Sequence, residues 1–314
     1  MLVNDVIVEM ADTGKALVNT HLAALSDMTP ANIRDFSQVW KTIDPKRRRE
    51  IVTRLKELAT DSVELNFDNI FLRCLSDPDA DVRSEAIDGL WENEEPALIP
   101  LLIDLLDKDP AEKVQAAAAL ALGRFALMAE ISSIAPRYGV QVGHVLLNVV
   151  GDKNKSMDVR RRALEAVSPI STEQVKTAIK TAYEGRDERL AISAVYAMGK
   201  NCDTKWLPFL LKELKNSDAE MRYEAVTACG ELGDEEIMQY LLPVANDEDI
   251  DVRLALIQAL GKIGGNEAKQ FLQKNANDPN EAVRDAIETA LNEITILDDM
   301  TVFEMGAQSG EHED

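Results

Sequence analysis

The sequence predicts an all-α protein assembled from tandem helix pairs, and three observations carry that expectation. One short phrase returns along the chain, with its leading apolar residue at positions 82, 114, 159, 190, 221, 252 and 283. The steps between them are 32, 45, 31, 31, 31 and 31 residues, and four equal steps in phase call for a repeated structural unit. Inside the phrase the apolar and small positions fall at i, i+4, i+7 and i+8, which is one face of an α-helix and not the alternation of a strand. Glycine and proline number only 15 and 11 in 314 residues, too few for a loop-rich β architecture. Apolar residues reach 46% but aromatics only 5%, so the core is expected from Leu, Ala, Ile and Val.

The phrase reads Val82-Arg83-Ser84-Glu85-Ala86-Ile87-Asp88-Gly89-Leu90, and returns as Val114 to Ala118 ending Ala121-Leu122-Gly123. It recurs from Val159-Arg160 to Ala166-Val167, from Leu190 to Gly199, from Met221-Arg222 to Gly230, from Val252-Arg253 to Gly261, and from Val283-Arg284 to Leu291. Small residues at i+4 and i+7, such as Ala194 with Ala197 and Ala225 with Ala228, let another helix approach closely. Gly123, Gly199, Gly230 and Gly261 sit where each helix is expected to end, and are read as C-terminal caps.

A second apolar stretch follows in register. Its columns are Val175, Trp206, Ile237 and Ala268; Ala178, Phe209, Tyr240 and Phe271; and Ile179, Leu210, Leu241 and Leu272, all expected in the core. Each link into the next unit carries Asp or Asn, with proline after Asp77, Asp109 and Asp278, and is read as a helix start. The unit is helix, tight turn, helix and short link in about 31 residues.

The Asp-Pro link, the Val-Arg-x-x-Ala phrase and the Ala-Leu-Gly ending resemble the HEAT-repeat family, in the short bacterial form related to the repeats of phycobilisome lyases. The resemblance covers residues 65–296. It implies a right-handed α–α superhelix, a solenoid of about seven to nine helix pairs with a convex and a concave face. It implies no reaction.

Three regions depart from the period. Residues 1–62 are read as an N-terminal helical cap, with an amphipathic helix in 1–25 and degenerate repeats starting at Thr29-Pro30 and Asp44-Pro45; the solenoid proper is 63–297. The 45-residue step places about 14 extra residues around 127–141. They are read as a lengthened helix with a neutral loop, or else as a decoration of a binding face. Residues 298–314 hold six acidic residues and no Lys or Arg, and are expected to form a disordered acidic tail that aids solubility or regulates.

With 34 Lys+Arg against 56 Asp+Glu, the net charge of −22 argues against nucleic acid or an anionic membrane as partner. Nothing near Met1 resembles a signal peptide, and Cys74, Cys202 and Cys229 form no CxxC motif, so a cytoplasmic location with free thiols is expected. A monomer is the default expectation. Deoxyhypusine hydroxylase, a HEAT-like di-iron enzyme, needs repeated His-Glu pairs; the only histidines here are His21, His144 and His312, and the only such pair is His312-Glu313. His144 falls in an apolar column and is read as a half-buried histidine. Cys202 has no histidine near it, and Gly261-Lys262-Ile263-Gly264-Gly265 follows a helix rather than a strand, so neither marks a site. No catalytic residue, metal or cofactor is assigned, and the chain is read as a non-enzyme.

Two groups of polar residues remain. Arg83, Arg160, Arg222, Arg253 and Arg284 recur at the repeat period, with Asp81, Asp158, Glu220 and Asp251 nearby, and are read as a structural ladder between repeats. Lys46-Arg47-Arg48-Arg49 is read as a solvated or salt-bridged face, with a docking patch for an acidic partner or the acidic tail as the alternative. Along the second helices a wetter stripe contains Asn69, Arg73, Thr177, Lys180, Lys212, Gln239, Gln270 and Lys274. It is the expected partner-binding surface on the concave face, and the expected function is a non-catalytic scaffold or adaptor for another protein. The rival readings are a lyase-like or hydroxylase-like factor, and a regulatory module acting through the acidic surface or tail.

Overall fold

A computed structural model describes the backbone of residues 3–309 and the side chains of 3–234 and 236–296. Among the described residues there are α-helices, short 3-10 turns and no strand. The chain divides into two compact units, Met1–Val167 and Ser168–Asp314.

The first unit contains α1 (Val3–Ala11), α2 (Asn19–Ala23), α3 (Pro30–Trp40), α4 (Pro45–Asp61), α5 (Asp68–Cys74), α6 (Ala80–Gly89), α7 (Ile99–Lys108), α8 (Glu112–Glu130), α9 (Pro136–Gly151) and α10 (Met157–Val167). Helices α4, α6, α8 and α10 stack in sequence as one layer, and α5, α7 and α9 pack back against it. In place of one helix over 1–25, α1 and α2 are separate; α1 packs on α3 and α2 on α4. The starts expected at Thr29-Pro30 and Asp44-Pro45 form as read. Thr29 accepts from the Asn32 amide, Asp44 accepts from the Lys46 amide, and each proline occupies the first turn.

The second unit contains α11 (Glu173–Tyr183), α12 (Glu188–Asn201), α13 (Leu207–Glu213), α14 (Ala219–Leu232), α15 (Met238–Leu241), α16 (Ile250–Ile263), α17 (Gly265–Asn275) and α18 (Glu281–Ser309). Here α12, α14, α16 and α18 form the stacked layer; α11, α13, the 3-10 turn Leu242–Asn246 after α15, and α17 cover it. The buried columns are Val175, Trp206, Ile237 and Ala268, and Ile179, Leu210, Leu241 and Leu272. Full burial of such side chains contributes about 1.5–3 kcal/mol each.

The middle column of second-helix residues differs from expectation. Phe209 and Phe271 are half-buried and Tyr240 is 49% exposed. On helices of this length only two columns, four residues apart, point squarely at the layer beneath; the column between leans into the gap beside the neighbouring second helix.

Two corrections concern repeat boundaries. The helix caps are not the glycines of the Ala-Leu-Gly ending: Gly123, Gly199, Gly230 and Gly261 all lie inside helices. The left-handed residues that end α12 and α14 are Cys202 (φ 51°) and Gly233 (φ 65°). The inner glycines instead admit the next helix. A Cβ on Gly199 would lie 2.7 Å from the Ala228 Cα, and one on Gly230 would lie 2.7 Å from the Ala259 Cα. The leading Asp of each link is likewise not the N-cap. The N-caps are two residues further on, at Asp79, Asp218 and Asp249, each accepting two amides of the first turn.

The extra residues near 127–141 lengthen α8 and α9 around a turn at Ser132 (φ 63°), so both helices of this hairpin grow. His144 is exposed, hydrogen-bonded to Asn148 at 3.2 Å, because the lengthened hairpin puts Val142 and Leu146 on the buried side. At the other end, α18 continues past Leu297 to Ser309. An already nucleated helix propagates through residues 298–309, which contain no proline. The rest of the expected acidic tail, residues 310–314 and the side chains of 297–314, lies outside the described residues.

Candidate partner-binding face

The recurring arginines each stand four residues after a helix start, and their amides bond back to Asp79, Ser156, Asp218, Asp249 and Asn280. That position turns the guanidinium towards the link. Arg83 grips Asp109 with two bonds of 2.7 Å and donates to the Asp77 carbonyl; Arg222 grips Asp247 at 2.7 and 2.8 Å and donates to the Asn216 carbonyl. The partner acids are therefore not the expected neighbours. Asp81 pairs instead with Arg49 and Lys113. An acid two residues before the arginine points about 200° away around the helix, whereas the link aspartate about 25 residues later faces it.

Each link aspartate also accepts the amide two residues on, as Asp109 does from Ala111 and Asp247 from Asp249. Its carboxylate thus ties an arginine of one repeat to the start of the next. The hydrogen bonds from Arg222, more than opposing burial, hold the Asp247 carboxyl below its ordinary range. The column is not uniform. Arg160 donates only to the Val150 carbonyl, Arg284 to the carbonyls of Asp278 and Pro279, and the Arg253 Nε is buried with no hydrogen-bond partner.

The basic cluster at 46–49 divides: Lys46 is exposed and Arg49 is half-buried in ion pairs with Asp79 and Asp81, as a salt-bridged face requires, while the other two arginines turn inward. Arg47 and Arg48 are each 6% exposed. Arg47 donates to the carbonyls of Met10, Asp12 and Lys15, closing the end of α1. Arg48 pairs with Asp77 at 3.3 Å, and the same carboxylate accepts the Trp40 indole N–H at 2.7 Å. Arg48 stands four residues after Asp44, so it belongs to the arginine column. That spacing from the helix start was the signal available in the sequence.

The expected stripe divides by unit. In the first, the exposed Asn69 donates to the Met28 carbonyl and the half-buried Arg73 to the Ser37 hydroxyl, so both are engaged. In the second, Thr177, Lys180, Lys212, Gln239, Gln270 and Lys274 are exposed on α11, α13, α15 and α17. Two adjacent grooves run between these helices. One of about 280 Å³ separates α11 from α13 and is lined by Thr177, Lys180, Lys205, Trp206 and Phe209. One of about 640 Å³ separates α13 from α15 and its 3-10 turn, lined by Pro208, Leu211, Lys212, Lys215, Tyr240 and Pro243. Gln270 and Lys274 line neither.

Between the two grooves lies a polar cluster that sequence reasoning missed. Glu213, 4% exposed, accepts from the Tyr183 hydroxyl at 2.5 Å, the Lys212 ammonium at 2.9 Å and the Asn216 amide at 2.5 Å. Lys212 also reaches the Tyr183 hydroxyl at 2.9 Å and lies 5.3 Å from its ring centroid. Burial pushes the Glu213 carboxyl up, but the bonds from Tyr183, Asn216 and Lys212 outweigh it and hold it low. Bonds to Tyr183 and Glu213 keep the Lys212 ammonium charged well above its usual range. Lys212 is thus fixed at the groove rim instead of waving in solvent.

No group of histidine, cysteine and carboxylate side chains fit to hold a metal ion occurs among the described residues. Cys74 and Cys229 are buried, and burial pushes the Cys229 thiol up to about 12. The exposed Cys202 is raised as well, by desolvation and then by Glu231, so it has no thiolate character for nucleophilic attack. No described helix is long and apolar enough to cross a membrane.

Comparison with curated proteins gives no sequence match. Among solved structures, the chain is similar to the CpcE–CpcF complex of phycocyanin lyase from Nostoc sp. PCC7120, with 16% identity and a TM-score of 0.53 over 90% of this chain and 97% of that one. It is similar to a Kap95–Nup1 complex at 13% identity and a TM-score of 0.51, over 98% of this chain and 47% of that one. Human deoxyhypusine hydroxylase gives 21% identity over 93% and 96% of the two chains, but its TM-score of 0.32 carries no argument. At these identities the likeness is one of fold. The family model for HEAT repeats matches residues 69–139 and 207–292, half of the chain. With the 31-residue period, the stacked helix layers and the arginine–aspartate links, this makes the chain a member of the HEAT-repeat family.

Proposed function

We propose that the protein is a non-catalytic cytoplasmic adaptor, monomeric by itself, that binds another protein along the face formed by its second helices. One observation carries the reading: the exposed residues Thr177, Lys180, Lys212 and Gln239 border two consecutive grooves in the second unit. A repeated surface of clefts suits an elongated protein segment. Residues 1–62 serve in this reading as the N-terminal cap of the array, and the acidic residues after 297 as a solubilising end.

The test is affinity capture from native lysate with the intact chain and with Lys180→Glu combined with Lys212→Gln. Glutamine is chosen at 212 because a glutamate there would face the buried Glu213. Loss of the captured partner, with the melting temperature unchanged, is the expected result. A partner retained by the variant places docking elsewhere. The enzyme-associated readings make a different prediction: two irons per chain by elemental analysis, or a chromophore absorbing in the visible, in the purified protein. A regulatory role for the acidic end predicts altered capture on truncation after Leu297.

A further inference from the structure

The groove between α13 and α15 has a charge that sets it apart from the rest of the molecule, whose net charge is −22. Its rim carries Lys212 and Lys215. Among the described residues no carboxylate pairs with Lys215, and the Lys212 ammonium stays on the rim, its side chain 72% exposed beside the buried Glu213. The one carboxylate in the lining, Asp247, has both oxygens engaged by Arg222. In the neighbouring α11/α13 groove Lys176 and Lys205 are matched by Glu173 and Asp203, and Lys180 by Glu184, as Lys212 is here by Glu213; among the described residues Lys215 is the rim cation left without a paired carboxylate. The walls of the α13/α15 groove are apolar. Pro208, Tyr240 and Pro243 are exposed, and Leu211 is half-buried. At about 640 Å³ the cleft lies within the size range of ligand sites.

We propose that this groove binds an acidic segment of another protein that carries an aromatic or leucine side chain between its carboxylates. The inference rests on the adaptor reading and gives the chemistry of the partner. The apolar side chain settles between Pro208, Leu211, Tyr240 and Pro243, where exposed apolar surface has no cover. The flanking carboxylates reach Lys212 and Lys215. A basic or neutral segment gains nothing from the lysines. A densely charged polyanion such as nucleic acid is repelled by the rest of the surface and cannot use the apolar walls.

The experiment uses the full chain and an array of heptapeptides with central Phe, Trp or Leu, set in Asp/Glu, Ser or Lys backgrounds. The acidic peptides are expected to bind, with affinity falling as salt rises, because the contacts are at an exposed rim. The tightest of them should lose at least about tenfold in affinity on Lys212→Gln with Lys215→Glu, and separately on Tyr240→Ala, while each variant keeps its melting temperature. Hydrogen exchange should slow in 207–215 and 238–247 when it binds. Equal binding across the backgrounds, affinity unchanged in both variants, or protection elsewhere would each overturn the proposal. Binding that emerges only after residues 298–314 are removed would make the chain's own acidic end the occupant, and would also overturn it. If a lysate partner is lost on the Lys180 and Lys212 changes while the array shows no acidic preference, this chemistry fails and the adaptor reading stands. If acidic peptides bind at the groove but capture is indifferent to those changes, the adaptor reading fails and the groove assignment stands.

Discussion

Gly199 faces the backbone of Ala228 so closely that a methyl group on it would lie 2.7 Å from the Ala228 Cα, a distance no real side chain tolerates. Gly230 stands in the same relation to Ala259 one repeat later. These contacts fix how near the stacked helices approach, and they bear directly on mutation.

Gly199→Ala should destabilise the protein. Overpacking against backbone costs about 1–3 kcal/mol, and the helix propensity gained by replacing glycine offsets up to about 1 kcal/mol of it. Gly151→Ala is the control, because nothing lies within 4 Å of a Cβ there. It should be neutral or stabilising. Denaturant unfolding of both variants checks the pair, and a neutral Gly199→Ala would mean that the helices are free to separate. Ala225→Leu, at a fully buried position, should also cost about 1–3 kcal/mol.

The arginine column predicts unequal effects. Arg222→Ala leaves Asp247 without its fork and should cost about 3 kcal/mol, as for other broken buried pairs. Arg253, whose Nε has no hydrogen-bond partner, should cost clearly less when changed to alanine. Equal losses in urea unfolding would contradict the difference in pairing.

The pH dependence of the same rung has a definite sign. The Asp247 carboxyl titrates below its unfolded value because Arg222 favours its charged form. Its contribution is therefore complete above about pH 4, the ordinary aspartate range, and is lost as pH falls through the lower folded value. The stability gap between the unaltered protein and Asp247→Asn should be constant from pH 7 to 5 and narrow below about 4. A gap of equal width at pH 3 would show that the charge is not its source.

Arg47→Ala should free α1 without unfolding the repeats, since it removes the donor to three carbonyls at 2.8, 3.2 and 2.8 Å. Orphaned buried carbonyls cost about 1–3 kcal/mol. Limited proteolysis should then cut within residues 3–18 first. Unchanged protection there would return this arginine to the surface role expected from its sequence context.

The array itself was legible because a 31-residue period and a helical apolar face are properties of sequence spacing. Which residues line the second-helix face was partly legible: Lys180, Lys212 and Gln239 fall where the spacing puts them. Tyr240 and Phe209 did not, because hydrophobicity alone does not separate a side chain pointing at the layer beneath from one leaning into a groove. The aspartate partners of Arg83 and Arg222 were missed because they lie 26 and 25 residues away, and the nearer acids drew attention first. Arg47 and Arg48 look like a charged surface until the chain around Met10 and Asp77 closes over them. The glycines were misassigned because a glycine near a helix end has two uses, and only the neighbouring helix decides between them.

The link aspartate has a consequence for how such a protein changes length. Asp247 is held by Arg222 on one side and by the Asp249 amide on the other, so the joint between consecutive repeats works as a gauge of fixed span. A residue inserted there would break both grips at once. The longest departure from the period accordingly sits far from any joint, at the tip of the α8–α9 hairpin, where the chain turns at Ser132. Growth of this protein is thus quantised: whole modules cut at matching points, such as the helix starts Asp218 and Asp249, can be added or removed with the following helices still in phase, while fractional changes fall at hairpin tips.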